Sequence, residues 1–266
     1  EMQANGLNLT AEELYDINNA SVKDAIVSLG GFCTGEIISD QGLMLTNHHC
    51  GYDAIATASS VEKNYLRDGF YAKTLAEEIN TTLSVQFLVR IDDVTKEVMD
   101  SLKGLTGSER IQKQAAVLAA INKRLSNAEE SIETRVSSLF KGNQFLAFVY
   151  QRYSDIRLVG TPPESVGKFG GDTDNWMWPR HTGDFSMLRI YSGADNEPAD
   201  FNENNVPYQP KRHLRISMDG VSEDDFTMVM GYPGSTDRFL SSWGIEQALD
   251  LYNPSVVEVR DLKLKT

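Results

Sequence analysis

Three adjacent residues, His48, His49 and Cys50, follow directly on the apolar run LMLTN, with Cys33 one hairpin upstream. Histidine is the side chain whose ordinary titration lies nearest neutrality, so an imidazole at the end of a strand is a candidate proton shuttle. To act as a base toward a hydroxyl, it needs its second nitrogen held as a donor, which a buried carboxylate does. Asp184, opening the apolar strand FSMLRIY, is a candidate for that carboxylate; Asp172 and Asp174 compete for the role. Neighbours in an extended segment face opposite sides, so only one of His48 and His49 serves a given site, and the two are badly placed to share one metal ion. Zinc binding through His and Cys is the runner-up chemistry, without the CxxC or HxxxH spacing of strong zinc sites.

The elements that position these residues begin with two short strands, GEIIS and LMLTN, joined by the turn formers Asp40, Gln41 and Gly42. That hairpin brings Cys33 and Cys50 together, so a disulfide across its base is geometrically reasonable. Spacing alone leaves two buried thiols as the alternative. Upstream, Thr10 and Glu13 form a capping-box pattern and AIVSL reads as a buried strand. Downstream, Leu83, Val85, Phe87, Val89 and Ile91 alternate with polar residues as a half-buried strand, a pattern broken at Leu88. The period turns helical from Val94 to about Ser131, with Val94, Val98 and Leu102 on one stripe and Ile111, Ala115, Leu118 and Leu125 on another. Strands then return, with a hairpin turn at Lys141, Gly142 and Asn143, and KRHLRIS and FTMVM read as later strands. The tail from Ser241 is amphipathic and helical, and it stops without a cap.

Composition bounds the function. A net charge of −13 disfavours nucleic-acid or anionic-membrane binding, since both require a basic face. No apolar run has the length of a membrane-spanning helix, the first residues do not read as a signal peptide, and 266 residues suggest about two domains. Gly170-Gly171 does not follow a strand as a phosphate loop requires, so a nucleotide site has little support.

CTGEIIS…GLMLTNHHC resembles the segment of chymotrypsin-like serine peptidases in which a histidine just before a cysteine is the general base. More narrowly, TNHHCGYDAI, KNYLRDGFYA, FKGNQFLAFVYQRYSDIRLV, KFGGDTDNWMWPRHTGDFS and VMGYPGST together resemble the bacterial dipeptidyl-peptidase 7 and 11 family. The resemblance implies a mainly β fold with helical insertions: the first part of a chymotrypsin-like double β-barrel, truncated at the start of a helical cap domain. Residues 1–240 would be the barrel region, with the helical insertion at about 94–131, and 241–266 the beginning of the cap. It implies His49 as base, Asp184 as its orienting carboxylate, a Cys33–Cys50 disulfide, and Asn175 with Trp176 as the grip on a substrate's free N-terminal amine.

The family's nucleophilic serine sits in a GNSGSP-like segment that nothing here matches; Ser235 in YPGST corresponds to the family's GYPG turn instead. The chain is therefore expected to be the N-terminal portion of a longer enzyme and inactive by itself, with no cofactor and no metal. Expected partners are peptides with a free N-terminus, with no nucleic acid and no membrane span, and a homodimer is the assembly the resemblance allows for the full-length enzyme. The expected location is the periplasm or cell surface of a Gram-negative bacterium, with a leader removed. A preference for acidic or hydrophobic dipeptides is not legible. A non-catalytic peptide-binding module and a His/Cys metal protein are the alternatives.

Overall fold

The computed structural model describes residues 1–128, 130–171, 182–234 and 239–265. In chain order the helices are α1 (Ala11–Leu14), α2 (His48–Ala58), α3 (Tyr65–Asp68), α4 (Thr95–Ser101), α5 (Gly107–Leu125), α6 (Glu164–Gly167), α7 (Ser242–Gln247) and α8 (Asn253–Lys265). The strands are β1 (Ile26–Leu29), β2 (Cys33–Ile37), β3 (Leu43–Thr46), β4 (Phe70–Tyr71), β5 (Ile79–Asn80), β6 (Val85–Asp93), β7 (Ile132–Leu139), β8 (Gln144–Tyr153), β9 (Ile156–Thr161), β10 (Ser186–Ser192) and β11 (Val206–Pro207). All eleven belong to one antiparallel network.

Its pairings form an open path, and the chain itself joins β5 to β6 to complete a ring. β1 pairs β2, β2 pairs β3, β3 pairs β10, β10 pairs β9, and β9 pairs β5. From β5 the chain runs on into β6, which pairs back to β1. Apolar residues alternating inward fill this ring, among them Val27, Leu29, Ile37, Met44, Leu158 and Leu188. Each such side chain stabilises by about 1.5–3 kcal/mol when fully buried. The turn between β2 and β3 needs Gly42: its φ is +64°, and a Cβ there would lie 2.8 Å from the Ile190 carbonyl oxygen.

The bulge between Leu88 and Arg90 marks where β6 and β8 continue past the ring as an arm, edged by β7. Lys23, itself buried, donates to the Leu88 carbonyl at this bulge. A second core sits on the arm, where Val94, Val98, Leu102 and Ile121 of the helical excursion pack on Phe145 and Ala147. The two helical stripes predicted from periodicity are α4 and α5. The β7–β8 turn falls at residues 140–143, and the Thr10–Glu13 capping box is formed.

Two expectations are corrected. His48 and His49 open helix α2 and do not end a strand. KRHLRIS and FTMVM form no strands: among the described residues no ladder pairs with them, although the Leu214 amide donates to the Ile37 carbonyl. β10 begins at Ser186, one residue later than FSMLRIY suggests, and Asp184 lies just ahead of it as expected. By contact density the chain divides into residues Glu1–Tyr232 and Pro233–Thr266; the second unit is helical, α7 passing through a π turn at Ala248–Tyr252 into α8. Among the described residues no helix is long and apolar enough to cross a membrane.

Candidate active site

β3 delivers the chain to Asn47, the N-cap of α2, whose extended backbone turns into a helix rich in small residues. An N-cap asparagine ordinarily accepts from the N–H groups of its own first turn. Here the Asn47 side chain makes no such bond. The carboxylate of Asp184, 135 residues beyond His49, takes the duty: its Oδ1 accepts from the His49 amide at 3.1 Å. Its Oδ2 accepts from His49 Nδ1 at 2.8 Å and from Asn47 Nδ2 at 3.3 Å. The residue ahead of β10 thus caps the helix that carries His49.

These contacts fix the imidazole. A carboxylate only accepts, so the neutral His49 ring carries its proton on Nδ1 and leaves a lone pair on Nε2. Burial opposes ionisation of Asp184, but the hydrogen bonds from the His49 ring and backbone outweigh it and hold its carboxyl below the usual 3.8. The His49 side chain is 70% exposed against 23% for Asp184, so the imidazole faces solvent while its partner is sheltered. The pair lies in a cleft of about 520 Å³, lined also by Phe32, Cys50, Tyr52, Asp53, Gly167 and Lys168.

His48 is buried and lies in the wall of the same cleft. Successive side chains on a helix point about 100° apart, which separates the two rings. His48 Nδ1 lies 3.0 Å from the Thr161 hydroxyl, which itself donates to the Pro162 carbonyl. A hydroxyl has one proton to give, so His48 Nδ1 is the donor to Thr161. Its Nε2 has no hydrogen-bond partner among the described residues. Burial holds this imidazole below the ordinary 6.5, although the charges of Asp184 and Glu164 pull upward. Gly167 lies flat against the ring: a Cβ there would sit 2.5 Å from His48 Cγ, so a larger residue would push the ring aside.

Cys33 and Cys50 are joined as a disulfide, tying the start of β2 to the first turn of α2. The same sulfurs and a His49 nitrogen lie within 4.8 Å of one another. Because the disulfide occupies both sulfurs, neither is a thiolate, and the His/Cys metal reading loses its ligands. Thr34, next to Cys33, accepts from the Tyr232 amide at 2.7 Å, so the GYPG turn begins against the base of the same hairpin.

A family model described as Peptidase S46 matches residues 1–266. An Asp/Glu-specific dipeptidyl-peptidase of Flavobacterium psychrophilum is 48% identical over 268 residues, covering 100% of this chain and 37% of its own length. The chain belongs to the peptidase S46 family.

Dipeptidyl-peptidase 7 of Porphyromonas gingivalis is 47% identical over 264 residues, again 37% of its length. The crystal structure of Porphyromonas endodontalis DPP11 in complex with the dipeptide Arg-Glu matches at TM-score 0.89 and 39% identity, covering 98% of this chain and 39% of that one. This S46 chain therefore spans about 37% of the curated relatives it matches. Of the residues singled out from sequence, His49 meets Asp184 and Cys33 meets Cys50. Asn175, Trp176, Asp172, Asp174 and Ser235 lie outside the described residues. Sequence reading passed over Asn47, Thr161 and Gly167, and only the polar run TNHH carried any signal for the first.

Proposed function

We propose that residues 1–266 are the part of an S46 serine dipeptidyl peptidase that supplies the general base, its orienting carboxylate and the clamp for a substrate's free N-terminus. The observation that supports this reading most is the 2.8 Å contact between His49 Nδ1 and Asp184, with His49 turned into an open cleft. In that arrangement the Nε2 lone pair takes the proton of a serine hydroxyl as it attacks the scissile carbonyl. His49 then returns the proton to the departing amine, and Asp184 stabilises the transient imidazolium. The serine is supplied by sequence outside these 266 residues. Asn175 and Trp176 grip the substrate ammonium, an amide oxygen accepting from it and an indole offering a cation–π face. Reading that terminus makes the product a dipeptide. A Cys33–Cys50 disulfide suits an oxidising compartment, the periplasm or cell surface.

The test is an assay on fluorogenic dipeptidyl substrates with free and blocked N-termini, run on residues 1–266 and on the product of the complete reading frame that contains them. The complete product should release dipeptides from free termini alone and lose this with His49→Ala. Residues 1–266 should show no turnover and no serine labelled by a fluorophosphonate. Turnover by residues 1–266 that depends on His49, or equal cleavage of blocked peptides by the complete product, would overturn the reading.

A further inference from the structure

The geometry points to Asn47 as a positioning residue for the base, acting through Asp184. Its side-chain amide faces two acceptors at once, Asp184 Oδ2 and the Asp184 backbone carbonyl, each at 3.3 Å. Only the NH2 end can face two acceptors, which fixes the orientation of the amide. As an N-cap, Asn47 would be expected to spend its side chain on its own helix, yet it makes no bond there. The roles are exchanged: Asp184 caps α2 through the His49 amide, and Asn47 ties Asp184, side chain and backbone, to the end of β3.

The consequence falls on His49. Asp184 Oδ2 is shared by Asn47 and by His49 Nδ1, so the plane of the carboxylate, and with it the direction offered to Nδ1, is set by three donors on two oxygens. Asn47 is itself exposed. Without its amide, water takes the place at Oδ2, and water is a donor with no fixed direction. The carboxylate then turns about its bond to Cβ, and the ring loses part of the preference for a proton on Nδ1.

This inference rests on His49 being the base, and its test uses no turnover, so the two readings fail separately. The measurement is the tautomer ratio of His49 by long-range proton–nitrogen correlation on the histidine-labelled product of the complete reading frame that contains residues 1–266, with Asn47→Asp and Asn47→Ala beside the unaltered protein. Aspartate is as good an N-cap as asparagine but, ionised, cannot donate and also repels the Asp184 carboxylate, so Asn47→Ala reads the loss of the donor without an added charge. The Nδ1–H to Nε2–H ratio should fall roughly fivefold or more in both variants, the worth of one ordinary solvent-accessible hydrogen bond. Circular dichroism and an intact Cys33–Cys50 bond would show that each is folded. A ratio unchanged in either folded variant overturns the inference. Failure of both to fold would make Asn47 a structural residue of the barrel and overturn it equally.

Discussion

Asp184→Asn is the sharpest perturbation of the candidate site, because it changes one atom and leaves the shape. The carboxylate receives three N–H donors, from the His49 amide, His49 Nδ1 and Asn47 Nδ2. An amide offers one acceptor oxygen and one NH2. If the oxygen stays on the His49 backbone N–H, the NH2 faces Nδ1, which must become an acceptor, and the ring proton moves to Nε2. If the amide flips, Nδ1–H keeps its partner and the first turn of α2 loses its cap. Either arrangement forfeits a hydrogen bond to a charged group, worth about 1.5–3 kcal/mol in general. Asp184 is 23% exposed, so water makes up part of it, and about 1–2 kcal/mol is expected. For a chain of this size that lowers the melting midpoint by about 2–8 °C. Under the proposed function, the wrong tautomer should cost the product of the complete reading frame on the order of 10⁴ in turnover, the size of the same change in a serine-peptidase triad. The assay is a thermal melt of residues 1–266 together with the tautomer measurement. A His49 ring that keeps Nδ1–H with an unchanged melting midpoint would refute the account of Asp184 as both cap and orienter.

Two further outcomes are expected. Reducing Cys33–Cys50, which closes a loop of sequence separation 17, should remove about 3 kcal/mol of stability in the chain-entropy model; identical urea midpoints with and without reductant would contradict it. His48 is held below its ordinary 6.5, so the unfolded chain takes up that proton first as the pH falls. The stabilisation from a neutral His48 is therefore fully present above 6.5 and lost as the pH falls below it toward the lowered folded value. The melting midpoint should drop on acidification through that window, and less so in His48→Gln; equal drops in the two proteins would show that another group is responsible.

The local parts of this fold are legible in sequence because they obey local rules. The Asp40–Gly42 turn, the alternation of β6, the Thr10–Glu13 box and the stripes of α4 and α5 each depend on residues a few positions apart. The choice of His49 and Asp184, and of disulfide over free thiols, came from resemblance; spacing left both open.

Tertiary structure decided the rest, and the reason is the same each time: the deciding partner lies far along the chain. His48 and His49 begin a helix because Asp184, 135 residues on, supplies the cap that Asn47 withholds, so nothing within NHHC announces a helix start. His48 is a buried donor because Thr161, 113 residues on, receives its proton and Gly167 leaves room for its ring. KRHLRIS and FTMVM have a strand-like pattern and are not strands, since a pattern offers a face while a ladder needs a neighbour whose N–H and C=O groups are free to pair. The sequence by itself determined which residue types are available for a proton transfer and the elements that local periodicity builds. Only the folded chain decided which carboxylate meets which ring, because a hydrogen bond specifies a distance and a direction that sequence separation does not contain.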